Sequence, residues 1–125
     1  MILDTCALLW LAQGSRRLSA GVRRRLDAAP VVHVVAITAF EVALKYARGR
    51  LRLPLPPRAW LAAVVAHHDL DLVPLDEELC IRATELPAIH RDPCDRFIIA
   101  AAMQLGLPVV TSDPVFAEYG VEVVI

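Results

Sequence analysis

Lysine is almost missing from this sequence of 125 residues: Lys45 is the only one, and arginine supplies the rest of the positive charge. The formal net charge is −1, which excludes the strongly basic track that grips nucleic acid along a long stretch. Cysteine is scarce too. Cys6, Cys80 and Cys94 are odd in number and irregular in spacing, which excludes a disulfide framework and points to a reducing compartment. No paired Cys or His spacing marks a structural zinc site. Cys6, Cys94 and His90 therefore read as ordinary residues, the cysteines as buried free thiols. Uninterrupted apolar runs fall short of the roughly 18 residues a membrane helix requires. There is no internal repeat, linker or low-complexity segment, and no basic leader precedes the opening apolar MIL. A single soluble, cytoplasmic domain spanning 1–125 is the expectation, with no membrane partner.

What is present is apolar residue in excess, 57% of the chain against 22% charged. A domain of this size struggles to bury that much, so part of the surplus is expected in a homodimer contact or a partner groove. Arginines cluster at Arg16 and Arg17, at Arg23 to Arg25, and at Arg48, Arg50 and Arg52. The first two clusters read as solvated helix faces. Trp10 and Trp60 read as core or interface anchors.

Short apolar runs alternate with segments of helical period. MILD is a strand, and TCALLWLAQG a helix stopped by glycine. Ser19 caps SAGVRRRLDAA, which Pro30 closes, and VVHVVAI is a β-branched strand. TAFEVALKYARGR is a helix with Phe40, Leu44 and Ala47 on one face, extended by Val42 and Tyr46. Three prolines in LRLPLPP exclude a helix interior, and PRAWLAAVVAHHD starts a helix at a proline. LDLVPL, PVVTSD and VEVVI are further strands. DEELCIRATEL and DPCDRFIIAAAMQLG are helices, and PVFAEYG is a short helical turn. Strand–helix alternation with nearly wholly apolar strands predicts an α/β fold, a parallel sheet with helices on both faces.

The acids fall on one side of that plan. Asp4 ends the first strand, Glu41 lies early in the helix after the second, Asp92 and Asp95 open a helix, and Asp113 closes the strand PVVTSD. Ligands of parallel sheets bind at the carboxyl ends of the strands, near the reversal of strand order. Each acid alone fits a capping role. Asp4 precedes Thr5, T-A-F-E at 38–41 fits a capping box, and Asp92 precedes a proline with Asp95 two residues beyond it. Together they fit a second role, because carboxylates crowded at one edge repel and raise one another's pKa. A hard divalent cation such as Mg²⁺ or Mn²⁺ relieves that repulsion and activates water toward a phosphodiester.

MILDTCALLW, ITAFEVALKYARGRL, HRDPCDRFIIAAA and VVTSDPVF resemble the four acidic motifs of the PIN-domain ribonucleases, and among these the VapC-type toxins of bacterial toxin–antitoxin pairs. The resemblance runs over essentially the whole chain, with the motifs in order and at matching spacing. It implies a five-stranded parallel sheet and a metal-dependent endoribonuclease acting on RNA. By this resemblance Asp4, Glu41, Asp95 and Asp113 are the catalytic, metal-holding quartet. Asp92, Thr5, Thr111, Ser112 and Arg96 stand beside it as supporting residues, with Arg96 meeting a phosphate or a neighbouring carboxylate. It also implies a cognate antitoxin that covers the acidic pocket, and the helices at 38–49 and 57–69 are expected to supply much of the contact surface. Cys6 and Cys94 depart from the family, which more often has a histidine and a large apolar residue there.

Two other phosphate chemistries fail on named residues. Haloacid-dehalogenase-type phosphatases need a second acid where LDTC has Cys6, and receiver domains need a lysine near the last strands. The rival of a different class is a PIN-like module that binds RNA or protein without catalysis.

Overall fold

The computed structural model describes residues 1–125. Five strands, β1 (Ile2–Leu3), β2 (Val32–Val35), β3 (Leu70–Val73), β4 (Val109–Val110) and β5 (Val123–Val124), form one sheet in the order β3-β2-β1-β4-β5. Every pairing is parallel, with Leu3 opposite both Val34 and Val110 at the centre. Between the strands run α1 (Thr5–Gln13), α2 (Ala20–Ala28), α3 (Ile37–Ala47), α4 (Pro57–His68), α5 (Glu77–Glu85) and α6 (Pro93–Leu105). A 3-10 helix at Pro114–Tyr119 joins β4 to β5.

The inner strands β1 and β4 are wholly apolar because both faces are covered, whereas His33 of β2 pairs with the exposed Asp71 of the edge strand β3, where Leu72 is also exposed. Side chains alternate across a strand, and here the alternation feeds two cores. Leu3, Val34 and Val110 join Leu8, Val22, Leu26, Val42 and Trp60 on the face covered by α1 to α4. Ile2, Val35 and Val109 join Leu79, Ile98, Ile99 and Phe116 on the other. Each fully buried Val, Ile or Leu contributes roughly 1.5–3 kcal/mol of transfer free energy. Small residues let α6 lie close to the sheet: Ala100, Ala101 and Ala102 are all buried. Gly106 ends that helix with a φ of 65°, where a Cβ would be strained. No helix is long and apolar enough to cross a membrane.

Two expectations for α3 are corrected. The helix begins at Ile37, so Thr38 lies inside it and caps nothing, and the T-A-F-E capping box is absent. Glu41 stands one turn in, where its side chain faces other partners. The buried face is Ile37, Thr38 and Val42, whereas Phe40 is 56% exposed and Tyr46 and Ala47 are also exposed. Starting a helix one residue earlier leaves its period unchanged. The buried stripe differs from the expected one because the apolar surplus of this segment exceeds a single face. Trp60 is core, as expected, while Trp10 is partly buried and lies beneath Arg17.

Candidate metal centre

Strand order reverses between β1 and β4, and each of these strands leads to an aspartate that caps the next helical segment. Asp4 directly follows Leu3 and caps α1, its Oδ1 accepting from the Ala7 amide at 2.7 Å. Beyond β4, the Asp113 amide donates to Thr111 Oγ1 at 3.0 Å, and Asp113 Oδ1 accepts from the Val115 amide at 2.9 Å. Asp92 caps α6 through the Cys94 amide at 2.9 Å, which leaves Asp95 in the first turn. The caps fix each carboxylate at a strand or helix terminus, and the parallel sheet sets those termini side by side.

The carboxylates converge. Burial is the largest influence on Asp4 and raises its pKa, and Glu41 and Asp113 raise it further, while the Thr111 hydroxyl and the Ala7 amide pull it back. Asp95 is pushed up to about 7, first by burial, then by Asp92, with Glu41 and Asp4 adding to the effect and His90 opposing it. Asp4 thus feels Glu41 and Asp113, and Asp95 feels Glu41 and Asp4, but of the four acids only Asp95 and Asp113 present oxygens that, together with His90, lie within 4.8 Å of one another. Asp92 is exposed, and its cap on Cys94 accounts for one of its oxygens.

Glu41 is held from two sides. Thr5 Oγ1 donates to its Oε1 at 2.9 Å, and Thr5 Oγ1 lies 3.1 Å from Thr38 Oγ1 in a buried pair. Lys45, one turn further along α3, donates to Oε2 at 2.8 Å, which raises the lysine's own pKa. The one lysine of the chain therefore stands beside a site acid. Ser112 is exposed at the rim.

Arg96 is also corrected. It meets neither a phosphate-facing surface nor a carboxylate. Its guanidinium donates to the carbonyls of Ala83 (3.1 Å), Leu86 (2.8 Å) and Pro87 (2.9 Å), tying α6 to the loop after α5. A planar fork with five donors suits an array of carbonyls as well as it suits carboxylates.

His90 is the residue that sequence reasoning passed over. Its Nε2 lies 2.8 Å from Asp113 Oδ2 and 3.2 Å from Asp95 Oδ2, and the three residues can present ligand atoms within 4.8 Å of one another. The available signal was its place two residues before the Asp92 cap, which brings the ring back over the helix start. Cys6 is exposed at the mouth of the site rather than buried. Cys94 is pushed up to about 11 by burial and by Glu41, Asp92 and Asp95, so it is a poor nucleophile.

Clustered carboxylate oxygens, one carboxyl displaced to about 7 by burial and like charge, and ligand atoms within 4.8 Å fit a divalent cation. Hard oxygen donors suit such an ion, and its charge would remove the penalty that lifts Asp95.

A doubly covered parallel sheet with an acidic pocket at its switch point is the architecture of a PIN domain, and the chain belongs to that family: the PIN domain model matches residues 1–122. Among curated proteins it is similar to Ribonuclease VapC22 of Mycobacterium tuberculosis, 30% identical over 114 residues, covering 90% of this chain and 86% of the relative. Two solved structures share the fold. One is FitAcB from Neisseria gonorrhoeae, with a TM-score of 0.69, 22% identity, and coverage of 99% of this chain and 96% of the other. The second is VapBC2 from Rickettsia felis bound to a DNA fragment from their promoter, with a TM-score of 0.72, 11% identity, and coverage of 98% and 96%.

Proposed function

We propose that this chain is a metal-dependent endoribonuclease and the toxin of a toxin–antitoxin pair, acting in the cytoplasm. The observation that carries the reading is the grouping of Asp95 and Asp113 with His90 within 4.8 Å, with Asp4 and Glu41 near enough to act on their neighbours' charge. Membership of the PIN family and the likeness to a VapC ribonuclease support it. Asp4, Asp95 and Asp113 would hold Mg²⁺ or Mn²⁺, with Glu41 as a further ligand or as the group that orients the attacking water. The bound cation would supply charge neutralisation at the phosphate and a more acidic water. Thr5 and Lys45 fix the Glu41 carboxylate. Thr111 shapes the turn that presents Asp113. Asp4 is 6% exposed and the Glu41 side chain 12%, against 32% for the Asp113 side chain, so substrate would approach from the side of Asp113. In-line attack by water leaves a 5′-phosphate and a 3′-hydroxyl, with no part for the RNA 2′-hydroxyl as nucleophile.

The partner on this reading is the cognate antitoxin. An apolar groove of about 590 Å³ lies between α3, α4 and the β3 edge, lined by Val42, Ala43, Pro57, Leu61, Val65 and Leu72. It coincides with the two helices expected to supply contact surface. Exposed apolar side chains elsewhere, such as Ile81 and Met103, are compatible with a homodimer.

The test is incubation of the purified chain with structured RNA and Mg²⁺, beside Asp4→Asn and Asp95→Asn. Cleavage by the parent chain alone, with 5′-phosphate product ends, is the expected result. Equal cleavage by all three proteins rejects the assignment. Binding of RNA by all three with cleavage by none would make the chain a binding module.

A further inference from the structure

His90 lies against the carboxylates of two of the four site acids, and its hydrogen bonds determine what it can do there. The Asp92 amide donates to His90 Nδ1 at 3.1 Å. A nitrogen that accepts keeps its lone pair, so the proton of the ring resides on Nε2. Nε2 is the atom that faces Asp113 and Asp95. For Nε2 to bind a cation, the proton would have to move to Nδ1, where it would oppose the Asp92 N–H. The ring is therefore built as a donor to the carboxylates rather than as a ligand.

Its surroundings hold it in that pose. The ring packs edge-on against Phe116, with centroids 5.8 Å apart and planes at 89°. The His90 amide donates to Tyr119 Oη at 2.7 Å, and Tyr119 donates to the Pro87 carbonyl at 2.8 Å. Arg96, adjacent to Asp95, grips Leu86 and Pro87 in the same loop. Phe116 and Tyr119 belong to the 3-10 helix that Asp113 caps. The segments bearing His90, Asp95 and Asp113 are thus braced against one another.

The geometry points to His90 as a positioning residue of the metal centre: its Nε2–H donates to Asp113 and holds that carboxylate beside Asp95, 3.2 Å from the same nitrogen, leaving their remaining lone pairs to a divalent cation. Each carboxylate oxygen has two acceptor directions, so donation from His90 does not use up the carboxylates. This inference rests on the proposed function, because it assumes that these acids hold a metal.

The test measures Mn²⁺ binding to the full chain by calorimetry and electron paramagnetic resonance, with thermal unfolding followed in parallel. His90→Phe keeps an aromatic ring against Phe116 and removes the N–H, whereas His90→Gln returns an N–H donor at similar reach. The phenylalanine variant is expected to bind Mn²⁺ roughly ten- to hundredfold more weakly, and the glutamine variant within about threefold of the parent chain. Should His90→Phe not fold, His90→Met serves as the variant without a donor. Unchanged or tighter Mn²⁺ binding without the N–H overturns the inference and leaves the proposed function standing. A nitrogen hyperfine coupling from His90 to Mn²⁺ also overturns it, by making the ring a ligand. Failure of the parent chain itself to bind Mn²⁺ rejects both readings.

Discussion

Asp95→Asn is expected to stabilise the metal-free protein while abolishing its response to metal. The folded chain raises the Asp95 pKa from the ordinary 3.8 to about 7, chiefly through burial and then through Asp92. Between those values the folded state holds a proton that the unfolded state has released, so stability falls as pH rises through the interval. The penalty is absent below about pH 4 and complete above about pH 7. Taken at face value the displacement corresponds to about 4 kcal/mol. Water reaches part of the side chain, which is 20% exposed, and screening reduces the figure to about 2 kcal/mol. Asparagine removes the charge and keeps an oxygen beside His90. In EDTA at pH 8 the variant should therefore melt about 8 °C above the parent chain, taking about 4 °C per kcal/mol for a domain of this size. The difference should vanish near pH 4. Adding Mn²⁺ at pH 8 should raise the parent midpoint and leave the variant unmoved. Thermal unfolding followed by circular dichroism measures all three conditions. A variant less stable than the parent in EDTA at pH 8, or a difference that persists unchanged at pH 4, would refute the reasoning.

Thr5→Val removes the hydroxyl shared by Glu41 and the buried Thr38, and should cost about 1–3 kcal/mol in chemical denaturation because Thr38 loses its partner. Lys45→Met should change stability by less than about 1 kcal/mol, since the lysine is 43% exposed, yet tighten Mn²⁺ binding by leaving Glu41 unneutralised; calorimetry decides the direction. Arg96→Lys loses the planar fork that holds three carbonyls, so amide exchange in residues 86–91 should accelerate well beyond that of α6, and uniform protection would contradict it. Cys94, with a pKa of about 11, should resist iodoacetamide at pH 8, and labelling at the rate of an ordinary exposed thiol would count against the site's electrostatics.

The sheet and its coverings were legible because strand and helix periods agreed with the capping residues. Ser19 and Asp92 each accept from the amide their positions imply, and Gly14 and Gly106 end helices in the left-handed region. The placement of Asp4 and Asp113 was legible because residues that follow neighbouring strands of a parallel sheet lie along one edge. The features that escaped reading depend on contacts between segments. Lys45 meets Glu41 one helical turn away, a spacing visible in the sequence, but which face of α3 turned toward the site was not. Arg96 follows a site acid and points the opposite way, because successive helical positions diverge by about 100°. His90 lies in a loop, where no period constrains direction, and its orientation comes from Asp92, Tyr119 and Phe116.

The adjacency of β1 and β4 has a consequence for synthesis. These two-residue strands bring Asp4 and Asp113, far apart in sequence, to one edge of the sheet. Pairing across so great a span is slow relative to local helix formation. The edge that carries both acids is therefore incomplete until β4 has left the ribosome and found β1.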